Sequence, residues 1–117
     1  MSEGLFTVPG LRGAAVCAGL KPSGATDIAL IVADQPRPAA GLFTTCAAAA
    51  APVQVCREVL ASHTHVRSIV VNSGNANALT GSPGDTHARQ MVEVVAARCG
   101  GPALVLSTGV IGVPLPI

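Results

Sequence analysis

The strongest structural signal in the sequence is VRSIVVNSGNAN (residues 66–77), an apolar run joined directly to a polar turn. Val66–Val71 is rich in β-branched residues, which is typical of a buried strand. A helix follows, because SPGD (residues 82–85) resembles a helix start and GGP (residues 100–102) a helix stop. The apolar run Ala103–Leu106 then predicts another strand. Strand, helix and strand in this order favour an α/β domain.

Apolar residues at spacings of three and four predict two helices. Pro52 suits the first turn of the earlier helix, because the missing N–H is not needed there. The predicted apolar faces consist of Val53, Cys56, Val59 and Leu60 in the first helix, and Ala88, Met91, Val92, Val95, Ala96 and Cys99 in the second.

The first 46 residues predict three strands with no helix between them. These strands are Leu11–Leu20, Thr26–Ala33 (expected to be buried on both faces) and Ala40–Cys46. Residues 21–24 predict a turn, and Asp34–Pro38, which contains two prolines, predicts a loop. Successive strands favour a mixed α/β (α+β) class over a doubly wound parallel sheet, with residues 1–117 in a single partial domain.

Composition excludes several classes of protein. Half of the 117 residues are apolar, 11% are charged and the net charge is +1, which excludes a charged disordered tail. This charge balance also lacks the excess of basic residues that is typical of nucleic-acid-binding domains. The longest apolar runs, Ile28–Ala33 and Ala47–Val53, fall far short of the ~20 residues of a membrane-spanning helix. The start of the chain lacks the basic region of a secretory signal, so we expect a cytoplasmic protein.

The apolar residues are mostly small, and the sequence contains neither Trp nor Tyr. Alanine gains little burial energy, and the chain finishes on the uncharged stretch Val113–Ile117. We therefore expect this chain to be one piece of a larger unit. The cysteines, scattered without metal-type spacing, are expected to be reduced, buried thiols: Cys17, Cys46, Cys56 and Cys99.

Two loops predicted after buried strands are candidates for chemistry. Residues 72–77 form either a structural turn stabilised by Asn side chains or a loop that offers amide donors to a ligand. Residues 107–112 form either a glycine-hinged turn or an oxyanion site. In the second case, the Thr108 hydroxyl and the Gly109 N–H would stabilise a carbonyl oxygen that becomes negative during acyl transfer.

The histidines give weaker signals. His63 and His65 could bind a metal with Glu58, but a solvated pair is the favoured interpretation, because a metal site needs closely placed further ligands. His87 lies among polar residues early in the second helix, where we expect it to be exposed and assign it no role. We expect no metal site.

In their order and spacing, the motifs resemble the amino-terminal part of the ornithine acetyltransferase family, the bifunctional glutamate N-acetyltransferases of arginine biosynthesis. The strings NSGNAN and STGVIG are specific when they occur together. The matching segments are Val8–Val16, Asp27–Val32, Ala40–Thr45, Ala50–Val53, Val70–Ala78, Thr80–Gly81 and Ser107–Pro116.

The resemblance implies a layered α/β sandwich of the self-cleaving type, incomplete in this chain. It also implies autocatalytic cleavage of a precursor before a threonine, which becomes the first residue of a β chain and takes the acetyl group from N-acetylornithine before glutamate accepts it. Thr108 and Gly109 would form the oxyanion hole. The expected partners are the rest of the α chain and the β chain, in a hetero-oligomer, and this segment alone would be inactive.

The resemblance implies no metal or nucleotide cofactor and leaves open whether acetyl-CoA serves as a second acetyl donor. The sequence departs from the family pattern in two places: Cys46 and Ala47–Ala49 replace a polar and basic stretch, and Leu79 replaces a frequent cysteine. Two alternatives stay open. One is a related self-cleaving aminopeptidase or amidohydrolase, and the other is a binding or assembly domain without catalysis.

Overall fold

Four strands and two α-helices account for the regular structure in the computed structural model, which describes residues 4–117. A short 3-10 turn (Leu5–Thr7) precedes the first strand. In chain order, the elements are β1 (Leu11–Val16), β2 (Ile28–Pro38), α1 (Ala51–Ser62), β3 (His65–Asn75), α2 (Gly81–Cys99) and β4 (Ala103–Val110). Neither helix of these described residues is long and apolar enough to cross a membrane.

The strands form one mixed sheet in the order β1-β2-β3-β4. The pairs β1–β2 and β2–β3 are antiparallel, whereas β3 and β4 are parallel. A parallel pair needs a crossover connection, and α2 supplies it. This topology confirms the predicted mixed α/β class and explains why the strand–helix–strand pattern was the clearest signal in the sequence.

Both helices pack on the same side of the sheet, and the hydrophobic core lies between the helices and the sheet. Val70 of β3 and Val105 of β4 are paired in the sheet and are 4% and 0% exposed. They contact a cluster of small side chains from the helices: Ala51, Val55 and Cys56 from α1 and Ala88 from α2. Because these side chains are short, the helix backbones can approach the sheet closely.

The predicted ends of the two helices agree well with the structure. Pro52 lies in the first turn of α1. Gly100 ends α2 in the left-handed conformation, with φ 74°, and its N–H donates to the carbonyl of Ala96 at 2.9 Å. The face of α1 differs from the prediction: Ala51, Pro52 and Val55 are buried together with the predicted Cys56. The predicted Val53, Val59 and Leu60 are half-buried.

The predicted strand Ala40–Cys46 is wrong. This segment is irregular, and it pairs with none of the four strands formed by residues 4–117. Its apolar Phe43 instead packs against the core. The Arg57 guanidinium lies 5.6 Å from the Phe43 ring centroid and also donates to the carbonyl of Thr44.

The predicted loop Asp34–Pro38 is also wrong, because β2 continues through it to Pro38. The pairing with β3 shifts register between Val32 and Arg37 and then resumes. A bulge of this kind can accommodate proline, which has no N–H to donate to the ladder. In addition, Ile28–Val32 is half-buried, not buried on both faces as predicted, because both helices cover the same side of the sheet.

All four cysteines are free thiols, as predicted, but the predicted burial is confirmed only at Cys56. This thiol is buried and donates to the carbonyl of Val105 at 3.1 Å, and burial raises its pKa. Cys99 is half-buried, whereas Cys17 and Cys46 are exposed. β1 ends at Val16, four residues before the predicted end, and Cys17 is exposed like the strand residues 12–16 that precede it.

Candidate functional site

The two candidate loops lie side by side. β3 and β4 both extend beyond their predicted ends, so that most of each predicted loop is strand. Ser73 pairs with Thr108, and Gly74 pairs with Gly109. The structure therefore brings the two sequence motifs together at the carboxyl ends of adjacent parallel strands, where α/β folds commonly bind ligands.

The pairing is irregular at this point. Asn75 pairs with both Thr108 and Val110, so that the strands shift register around Gly109. Gly74 and Gly109 have φ values of 108° and 131°, which favour glycine. A Cβ atom on Gly109 would lie 2.6 Å from the backbone nitrogen of Asn75, so a side chain at this position would collide with β3. Glycine is thus required for the strands to come this close.

Thr108 and Gly109 are exposed. Ser107 directs its hydroxyl to the buried Asn72, toward the helix side of the sheet. Because side chains alternate along a strand, Thr108 faces the opposite, open side. Thr108 and Gly109 therefore follow each other on an exposed, bulged strand end. A hydroxyl next to a backbone amide is a pair of groups suited to hydrogen bonding with an anionic or carbonyl oxygen.

Beside this strand end, three asparagine side chains of the NSGNAN motif are buried: Asn72, Asn75 and Asn77 are 0%, 6% and 0% exposed. The amide of Asn72 donates to the carbonyl of Asn75 at 2.6 Å and accepts from the Ser107 hydroxyl. The amide of Asn75 donates to the carbonyl of Val113 at 3.0 Å and accepts from the N–H of Asn77 at 2.8 Å.

Asn77 connects the same motif to α2. Its side-chain amide donates to the carbonyl of Gly84 at 2.8 Å and accepts from the Thr80 hydroxyl at 2.8 Å. The residue itself has φ 47°, a left-handed conformation that Asn tolerates better than most residues. Since all three amides both donate and accept within the fold, the structure favours the interpretation of this motif as a structural turn.

No local sequence pattern assigns a role to Asp27, which shapes the loop next to the site. Its buried carboxylate accepts from the N–H groups of Ala18, Leu20 and Lys21 at 2.6, 2.6 and 3.0 Å. These bonds, that of Ala18 foremost, lower the pKa of Asp27. The only sequence signal was an acidic residue directly before an apolar strand and after a loop rich in Gly and Pro.

The loop that Asp27 organises borders the strand end that carries Thr108. A Cβ atom on Gly74 would lie 3.3 Å from the carbonyl oxygen of Leu20. Between this loop and the segment after β4 lies an open depression of about 590 Å³. Its lining includes Gly19, Leu20, Gly74, Asn75, Val110 and Val113–Pro116.

The histidines lie elsewhere. His63 and His65 are exposed around the end of α1 and the start of β3, in line with a solvated pair. Glu58, the third candidate ligand, forms an ion pair with Arg89, whose hydrogen bond lowers the pKa of the carboxylate. Among residues 4–117, no group of three His, Cys, Asp or Glu side chains is placed to hold a metal ion.

The prediction that His87 is exposed is wrong. It is half-buried and not exposed, and its buried Nδ1 has no hydrogen-bond partner within the described part of the chain.

Comparison with known proteins gives one consistent result. The model of the ArgJ family matches residues 12–117. The arginine biosynthesis bifunctional protein ArgJ of Gloeobacter violaceus is 48% identical over 117 residues, which covers 97% of this chain and 29% of that protein. Its counterpart from Geobacter sulfurreducens is 49% identical over 115 residues, covering 96% and 29%. The chain thus spans about 29% of the length of these relatives.

Solved structures agree with the sequence comparison. The crystal structure of arginine biosynthesis bifunctional protein ArgJ from Bacillus halodurans superposes with a TM-score of 0.92 at 33% identity, covering 98% of this chain and 61% of that one. The ornithine acetyltransferase of Mycobacterium tuberculosis, solved in complex with ornithine, gives a TM-score of 0.86 at 41% identity, covering 92% and 60%. The fold of the segment is therefore that of ArgJ proteins.

Proposed function

The chain belongs to the ArgJ family, and from that premise we propose that it supplies the oxyanion hole of a glutamate N-acetyltransferase in arginine biosynthesis. In the proposed reaction, a threonine hydroxyl from outside this segment attacks the acetyl carbonyl of N-acetylornithine. The carbonyl oxygen becomes negative, and the Thr108 hydroxyl and Gly109 N–H donate to it. Ornithine leaves, and the amino group of glutamate then takes the acetyl group from the acetyl-threonine intermediate.

One observation carries the proposal: two adjacent donors lie on an exposed strand end whose backbone is fixed by tight packing. Gly109 has no room for a side chain against Gly74 and Asn75, so the position of the strand is well defined. Donors that are fixed before the reaction need no reorganisation as charge develops, and each typically contributes about 2.7–4 kcal/mol of transition-state stabilisation.

The same proposal requires partners. A threonine that acts with its own free amine must be the first residue of a chain, whereas every threonine in this sequence is internal. We therefore propose that the nucleophile belongs to a β chain released by self-cleavage, and that α and β chains form a hetero-oligomer.

The proposed chemistry uses hydroxyl and amide groups and includes no metal ion or nucleotide cofactor. Acetyl-CoA would enter the same mechanism as an alternative acetyl donor.

A chimera tests the proposal directly. In it, this chain replaces the matching 29% of the Gloeobacter violaceus relative. Thr108→Ala should lower kcat for acetyl transfer from N-acetylornithine to glutamate by about 10²–10³, with a smaller effect on KM, because one transition-state donor is lost. Steady-state kinetics with both substrates would measure this effect.

The matched control is Thr86→Ala, which removes an exposed threonine hydroxyl that donates to the carbonyl of Ser82 on α2. This variant should retain the kcat of the parent chimera, and the isolated 117-residue chain should show no transfer. If Thr108→Ala and Thr86→Ala had the same kcat, Thr108 would have no part in the mechanism.

A further inference from the structure

The strand segment that carries the proposed oxyanion donors is hydrogen-bonded by side chains on the other side of the sheet. Ser107 directly precedes Thr108, and its hydroxyl donates to the side-chain oxygen of Asn72. The side-chain nitrogen of Asn72 donates to the carbonyl of Asn75, the residue at which the β3–β4 register shifts. The fully buried side-chain amide of Asn72 is therefore hydrogen-bonded to both strands at the bulge.

Few side chains could make these two bonds together. The Asn72 amide must accept from β4 and donate to β3 within one short side chain, and an ionised aspartate has no donor. Bulges redirect the residues next to them, so the orientation of Thr108 depends on how the bulge is held. The bond from Ser107 is the direct side-chain connection between that bulge and the strand segment that carries Thr108.

We propose that Asn72 and Ser107 are positioning residues for the oxyanion hole, acting through the orientation of Thr108 and Gly109. This inference rests on the proposed function of those two groups. Asn72 would not touch the substrate, because it is fully buried, and the Ser107 hydroxyl is directed to Asn72. The effect of losing the connection would appear in the transition state, where the alignment of donors matters most.

Ser107→Ala in the chimera is the decisive variant, because it removes one hydrogen bond and leaves the Asn72 amide bonded to Asn75. We expect kcat to fall about tenfold with KM nearly unchanged, since a small displacement of an aligned group has effects of this order. Asn72→Ala leaves more buried groups unpaired and tests stability more than positioning.

A matched control exists in the same motif. The Thr80 hydroxyl donates to the side-chain oxygen of Asn77 at 2.8 Å, the same kind of bond, but at the start of α2. Thr80→Ala should keep the kcat of the parent. An equal loss of kcat in Thr80→Ala and Ser107→Ala would show that general loosening of the motif is responsible, and would overturn the proposal.

A double variant gives a readout that a purely structural role would not move. In the Thr108→Ala background, Ser107→Ala should lower kcat by clearly less than tenfold, because the Thr108 hydroxyl is already gone and only the Gly109 N–H is left to be misaligned. Independent tenfold effects would overturn the inference about Ser107 and Asn72. If Thr108→Ala alone had no effect, the proposed oxyanion hole itself would be wrong, and this outcome is distinct from a failure of Ser107→Ala alone.

Discussion

Two regions of this chain show opposite ways of using small and polar residues. The β3–β4 seam, residues 72–75 paired with residues 107–110, holds two strands together through buried amides and a close glycine contact. The alanine segment, residues 39–50, is irregular and mostly exposed. Its contacts with the fold include Phe43 in the core and Arg57 stacked on that ring.

The difference shows where sequence change should be tolerated. At the seam, both polar side-chain atoms of Asn72 and of Asn75 have partners inside the fold, so a substitution leaves a buried group unpaired. In the alanine segment, Cys46 and Ala47–Ala49 are exposed or half-buried and contribute mainly backbone. This explains physically how the segment accommodates the departure from the family pattern noted in the sequence.

The largest effect should come from Gly109→Ala at the seam. A Cβ atom would collide with Asn75 of β3, and φ 131° is unfavourable for alanine. We expect the chimera to lose at least ~4 kcal/mol of free energy of unfolding, or to fail to fold. Urea unfolding followed by circular dichroism would measure this.

Gly112→Ala is the control for that experiment. Gly112 also has positive φ, 78°, but a Cβ atom there would meet nothing within 4 Å. The free energy of unfolding of this variant should fall by only about 1 kcal/mol, because it suffers backbone strain alone. If both variants lost the same amount, close packing of the seam would not be the reason for the glycine.

An intermediate effect is expected for Asn77→Ala. The variant leaves the Gly84 carbonyl and the Thr80 hydroxyl without their partner, and it places alanine at φ 47°. We expect a loss of about 3 kcal/mol in the same unfolding measurement. Asn77→Gly removes the same bonds without the backbone strain, and should recover about 1 kcal/mol of that loss. A neutral Asn77→Ala would contradict the description of the motif as a buried network.

The smallest effect should come from Arg57→Ala beside the alanine segment. Arg57 contacts the Phe43 ring and the carbonyl of Thr44 at the protein surface. We expect the free energy of unfolding to fall by about 1 kcal/mol or less. Arg12, an exposed arginine on β1, is the matched control, and Arg12→Ala should be neutral within ~0.5 kcal/mol. A loss for Arg57→Ala as large as that for Asn77→Ala would remove the contrast between the two regions.

Much of the fold could be predicted from local sequence. Pro52 and Gly100 mark ends of helices through backbone geometry that each residue carries with it. Thr108 and Gly109 could be selected as candidates because a hydroxyl and a glycine amide follow an apolar strand. Asp27 could not, because its role depends on N–H groups up to nine residues away that only the folded loop brings to its carboxylate.

The sequence by itself determined the strand–helix–strand order from β3 to β4, the fold class and the two candidate motifs, since periodicity, proline and glycine act over a few residues. Only the tertiary structure decided that Ala40–Cys46 is not a strand and that both predicted loops continue as strand. The reason is that strand pairing joins distant residues. Asn72 and Ser107 meet across 35 positions, and no local pattern specifies such a register.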